Sequence, residues 1–144
     1  MDAAPLGAGT EQGSRGSRLW RRVPPWHFPK YPGHDFPNSA AFADDPDGSP
    51  MSVVLVEVLL RGGRGPAEVL KGHEDYALAE ITIASVEAEG CVVEAHPLPD
   101  EPAHALVLGK KTQGARKRIA KSAVWIVAPP VPPAGIAPPF SSAD

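Results

Sequence analysis

The prolines divide this chain before any other feature does. Of the 18, eight fall in residues 1–50, four in residues 51–128 and six in residues 129–144. Each one removes a backbone donor and fixes φ, so long helices and central strands are confined to the gaps between them. Regular structure is therefore expected mainly between residues 51 and 128. Residues 1–17 contain one Leu and no aromatic residue. They bury too little to offset an ordering cost of roughly 1–2 kcal/mol per residue, and a disordered arm is expected. From Pro129 onward, six prolines occupy eleven positions, which favours an extended polyproline II tail over 129–144.

Between arm and core, Leu19, Trp20, Val23, Trp26, Phe28, Tyr31, Phe36 and Phe42 are interleaved with Pro24, Pro25, Pro29, Pro32 and Pro37. The expectation is an irregular segment that wraps the domain and inserts its rings as anchors. Further on, SVVLVEVLL (52–60) predicts a strand covered on both faces. PAEVLKG (66–72) predicts a short helix and ALAEITI (77–83) a strand. SVEAEG (85–90) predicts a helical turn closed by Gly90, followed by strands over CVVEAHP (91–97) and HALVLG (104–109). Thr112 offers an N-cap for a helix over QGARKRIAKSAVW (113–125). Together these predict a single small α+β domain over residues 18–128, built on one mixed sheet with short helices.

Composition narrows the function classes. Val, Ile, Leu and Phe supply 32 of 144 residues and Ala another 21, so the core is modest. A net charge of −3 argues against coating nucleic acid or an anionic membrane by bulk electrostatics. One cysteine, Cys91, excludes an internal disulfide and any CxxC motif, and suits a reducing, cytoplasmic setting. No apolar run reaches the 18 residues of a membrane span, and the first 17 residues lack an apolar signal-peptide core.

The sharpest charge feature is GKKTQGARKRIAK (109–121), with six basic residues and no acidic one. A helix start carrying Lys110 and Lys111, with Arg116 and Arg118 behind, is a candidate anion-binding element. It is not a P-loop, because His104 stands where the first Gly would be. The alternative is a solvated helix face paired with the acidic middle of the chain. Five histidines, His27, His34, His73, His96 and His104, have no metal-ligand spacing, and neither a metal nor a cofactor is expected. No GxSxG elbow pairs a serine with a base. On a strand RLWRRV, Arg21 and Arg22 point to opposite faces, so one of them can enter a pocket. The two PxxP frames of the tail, Pro129–Pro132 and Pro130–Pro133, suit a linker or an aromatic groove on a partner.

LWRRVPPWHF (19–28), NSAAFADDPDGSPMSV (38–53) and HPLPDEPAHALVLGKKTQGARKRIAKSAVW (96–125) resemble a set of small bacterial proteins. That set shares an RR-hydrophobic-PP-WH opening, an SSAAF segment and a PAHALV-GKK segment. The resemblance covers most of residues 19–130 and implies a compact bacterial domain, with no activity attached. Asn38 stands at the first Ser of SSAAF, so no role of that serine transfers.

The combined expectation is that the wrapping segment gathers Arg21, Arg22, His27, Ser39, Phe42 and His104 into one pocket. With no complete catalytic motif, the leading expectation is a binding or accessory protein acting through a protein partner, as in a bacterial defence or toxin-related assembly. The alternatives are a small hydrolase or transferase on a phosphate-bearing or nucleotide-like substrate, and a nucleic-acid binder using the basic helix 110–121.

Overall fold

The computed structural model describes residues 17–29 and 36–129. The arm and tail expected at the two ends, Ser17 and Pro129 apart, lie outside those residues, as do Tyr31 and His34.

Six strands alternate with short helices in this α+β chain: β1 (Arg18–Val23), β2 (Met51–Leu55), α1 (Val56–Arg61), α2 (Pro66–Val69), β3 (Ala77–Thr82), α3 (Ile83–Glu87), β4 (Val92–Ala95), β5 (His104–Leu108), α4 (Gln113–Ser122) and β6 (Val124–Val127). Two 3-10 turns, Pro25–His27 and Ser39–Phe42, lie between β1 and β2. The strands form one sheet in the order β4-β5-β2-β1-β3-β6. Every pairing is antiparallel rather than mixed. Short helices and loops return the chain to the opposite end of the sheet, so strands separated by a helix need not be neighbours.

Three local expectations change. The stretch at 18–50 is not irregular throughout, since Arg18–Val23, six residues free of proline, is the strand that β2 and β3 flank. The run at 52–60 is two elements. Met51–Leu55 alternates between buried and half-buried positions, and Val56–Arg61 then turns helical, burying Val56 and Leu59. A continuous apolar run does not by itself distinguish strand from helix. Glu57 in the first turn and Arg61 in the last also suit the helix dipole. Finally, the helix after Thr112 stops at Ser122, and the β-branched stretch Val124–Val127 pairs with β3 as an edge strand among the described residues.

One face of the sheet carries Leu19, Met51, Val53, Ile81, Val93 and Val107, all at most 3% exposed. They pack with Leu59 of α1, Val86 of α3, Ile119 of α4 and Phe42 of the second 3-10 turn in a single hydrophobic cluster. Burying a side chain of this size contributes about 1.5–3 kcal/mol. Thr112 caps α4 through a 3.1 Å bond from the Ala115 N–H to its hydroxyl oxygen, as the sequence predicts. Gly109, at φ +121°, lets the chain leave β5 against Cys91, where a Cβ would lie 3.2 Å from the Cys91 Cα.

Arg21 sits on this same core-side face, opposite Ala79, whose small side chain leaves it room. Its guanidinium donates to the carbonyls of Ala41 (2.8 Å), Ser52 (2.8 Å) and, at 3.4 Å, Ala43. Burial lowers its pKa, although Asp45 and Asp44 act to raise it. The side chain thus fastens the Ser39–Phe42 turn to the centre of the sheet. Arg21→Met is expected to leave those carbonyls without their donor and to lower the unfolding free energy by about 2–4 kcal/mol in urea titrations.

Candidate functional site

The other face of the sheet is only partly covered. Strand alternation turns Trp20 and Arg22 of β1, Ser52 and Val54 of β2 and His104 of β5 toward it. These residues line a cleft of about 830 Å³. One wall comes from α2 and the loop after it, through Val69, Lys71, His73 and Tyr76. The opposite wall is the tight turn between β4 and β5, where Leu98 and Glu101 exchange backbone hydrogen bonds of 3.0 Å. The walls are tied together by Arg64, whose guanidinium donates to both Glu101 oxygens at 3.1 and 2.6 Å. Desolvation acts to raise the Glu101 pKa, but Arg64 and the Ala103 N–H outweigh it and hold the carboxyl below its ordinary value.

One end of the cleft is aromatic. Trp26 is 65% exposed. Its ring meets Tyr76 edge to face at 6.1 Å between centroids and His27 at 6.3 Å, and Tyr76 in turn meets His73 at 4.8 Å. The 3-10 turn Pro25–His27 sets this geometry: Pro25 begins it, and the His27 N–H bonds the Pro24 carbonyl at 2.9 Å. On the floor, Arg22 makes one long hydrogen bond, 3.4 Å to the Val69 carbonyl. Among the described residues it has no ion pair with a carboxylate. At the far end, His104 Nδ1 lies 2.9 Å from the His96 carbonyl oxygen and 3.2 Å from His96 Nδ1. A carbonyl only accepts, so Nδ1 carries the proton, and Nε2 of the neutral ring is the acceptor.

Of the residues expected to share a pocket, Arg21, Arg22, His27 and His104 line this cleft and Ser39 and Phe42 do not. Arg21 reaches it from the core side with its donors engaged. Phe42 is fully buried in the core, and Ser39 opens the 3-10 turn that the Asn38 side chain caps. Trp26, Tyr76, His73 and Lys71 also line the cleft, together with the carboxylates Asp44, Asp45, Glu68, Asp100 and Glu101, although no motif in the sequence marks them as site residues. The only local hint is a tryptophan among prolines. Tyr76 and Trp26 are 50 positions apart, and periodicity says nothing about their meeting.

The basic stretch is placed differently from an open anion site. Lys110 is exposed, whereas Lys111 is buried and its ammonium bonds the Gly109 carbonyl at 2.7 Å and Asp44 Oδ1 at 2.7 Å. Arg116 donates to the Lys111 carbonyl at 2.6 Å, and Arg118 pairs with Glu89 at 2.8 and 2.9 Å. Lys117 and Lys121 face solvent. Among the described residues, no three His, Cys, Asp or Glu side chains come together as a metal-binding group, and no helix is long and apolar enough to cross a membrane.

Asp44 also accepts the Met51 N–H at 2.9 Å, so the Lys111–Asp44 contact joins the start of α4 to the start of β2. Desolvation acts to raise the Asp44 pKa, but the Lys111 ammonium, the Met51 N–H and the Arg21 charge together hold it below the ordinary carboxylate value. A carboxyl depressed on folding stabilises fully above its unfolded pKa, about 3.9, and loses that contribution as pH falls through the folded value. Lys111→Met is expected to cost about 1–2 kcal/mol at pH 7. That is less than for a fully buried pair, because 41% of the Asp44 side chain remains in solvent. Urea midpoints from pH 6 to pH 2 should fall less steeply in Lys111→Met than in the unsubstituted protein.

Comparison of the chain with protein-family models, curated proteins and solved structures gives no match, so a functional reading rests on the cleft itself.

Proposed function

We propose that this is a binding protein that seats an extended segment of a protein partner in the cleft, with one carboxylate of that segment on Arg22. The observation that carries the proposal is the pairing of the exposed Trp26–Tyr76 edge with Arg22, a guanidinium without a carboxylate partner among the described residues. Trp, Tyr and Arg are the residue types that dominate interface energetics, because each offers a large rigid surface with a directed polar group. Rings held edge to face on a preformed turn lose little entropy on binding. Arg22 can engage a carboxylate with two parallel hydrogen bonds, while Asp45, Glu68 and Asp100, which also line the cleft, disfavour a segment that is anionic along its length.

The reading as a hydrolase or transferase draws less support, since Ser39 lies outside the cleft and Lys111 is neutralised by Asp44. Nucleic-acid binding by the basic helix is weakened in the same way, because two of its four candidate cations already have carboxylate partners. The bacterial setting rests on the sequence resemblance alone.

The experiment is affinity purification of the full chain from its native host. A stoichiometric companion is expected with the unsubstituted protein and with Lys121→Ala. With Trp26→Ala its affinity should fall about thirtyfold, the loss of a 2 kcal/mol anchor, while the unfolding free energy moves by no more than about 0.5 kcal/mol. A clean monomer, or equal recovery with Trp26→Ala, would overturn the proposal.

A further inference from the structure

Strands β4 and β5 bring two histidines together where their ladder opens into the turn. Ala95 faces Ala105 in that ladder, and one step further the His96 N–H donates to the His104 carbonyl at 2.9 Å. The two side chains therefore stand on one face of the hairpin, as directly opposed residues do. No helical spacing announces the pair, because its separation along the chain acquires meaning only through the turn.

The rings meet by their Nδ1 atoms, 3.2 Å apart, with centroids separated by 5.2 Å. An ion bound along the lone pair of each ring at about 2.0–2.1 Å, with about 100–110° between its bonds, holds the nitrogens about 3.1–3.4 Å and the centroids about 4.9–5.2 Å apart. The observed separations are those of a tetrahedral chelate. His104 Nδ1 directs its proton at the His96 carbonyl, 2.9 Å away, so His96 Nδ1 faces it with a lone pair rather than a second N–H. An ion that takes both Nδ1 atoms leaves each neutral ring with its proton on Nε2.

The turn holds this geometry in advance. Pro97, Pro99 and Pro102 restrict its backbone. Leu98 and Glu101 bond each other across it, and the Glu101 carboxylate is clamped by both Arg64 donors and by the Ala103 N–H at 3.1 Å. Little ordering therefore remains to be lost on binding. The charge also suits a cation, since residues 97–103 carry Asp100 and Glu101 and no Lys or Arg, and Glu101 interacts electrostatically with His104. His96 is exposed and His104 half-buried, so water reaches the pair. Among the described residues no third His, Cys, Asp or Glu completes the set, which leaves the other positions to water, as in an open rather than a structural zinc site.

We propose that His96 and His104 chelate one divalent transition-metal ion of the Zn2+ class through their Nδ1 atoms, with water in its remaining positions. The site does not depend on the reading of the cleft as a peptide groove, since it needs no partner to form.

The test is Zn2+ titration of the full chain, followed by calorimetry and by nitrogen NMR of the histidine rings. One ion per chain is expected, with the Nδ1 signals of His96 and His104 shifting and their Nε2 atoms protonated. His96→Ala and His104→Ala should each weaken binding by at least about tenfold, because a lost ligand costs no less than a lost outer-shell partner. His34→Ala should leave binding unchanged. The ring signals are read in the unsubstituted protein, so they decide the question whatever the substitutions do to folding. No uptake at millimolar Zn2+, uptake that survives either alanine substitution at the pair, coordination through Nε2, or shifts led by His27 or His73 would overturn the inference.

Discussion

The whole sheet depends on β1, six residues held between a polar lead-in and a pair of prolines. It is hydrogen-bonded along one edge to β2 and along the other to β3, so the two halves of the sheet meet only through it. Pro24 and Pro25 would break such a ladder, and both fall immediately past its end, where the chain leaves the sheet and turns. The strand is amphipathic in an unusual sense. Leu19 and Val23 enter the core with Arg21, while Trp20 and Arg22 face the opposite cleft. Two adjacent arginines thereby acquire separate tasks from strand alternation alone.

Arg21 shows what a guanidinium can do when its hydrogen bonds go to backbone carbonyls rather than to a carboxylate. Three backbone carbonyls, two of them from the 3-10 turn and its exit, share its donors. That turn carries Phe42 into the core and leads into the loop where Asp44 meets Lys111. The cleft and the core are therefore joined mechanically: one arginine anchors the loop from below, and one lysine fixes it to α4 from the side. Arg22 remains directed at the cleft, where the Val69 carbonyl is its one hydrogen-bond acceptor among the described residues.

The elements legible in the sequence are those with local signals. Thr112 as a cap, Gly90 closing a helical turn at φ +84° and the short apolar runs ALAEITI and HALVLG all rest on patterns within a few residues. Sequence and structure part where local patterns are degenerate. VVLVEVLL suits a strand and a buried helix equally, and its division after Leu55 depends on what Val56 and Leu59 pack against. For the site, Arg21, Arg22, His27 and His104 do line one cleft. Ser39 and Phe42 stay outside it, because a 3-10 turn sends Phe42 into the core and leaves Ser39 beside its cap.

From the sequence alone came the class of fold, the position of most strands and the opposed directions of Arg21 and Arg22, since these follow from proline placement and a two-residue period. Tertiary structure decided the strand order, the choice of Lys111 as a buried partner of Asp44, and the meeting of Trp26 with Tyr76 beside Arg22. Those contacts join residues 50 to 67 positions apart in the chain. No local propensity encodes such pairs, which exist only once the sheet has closed around β1.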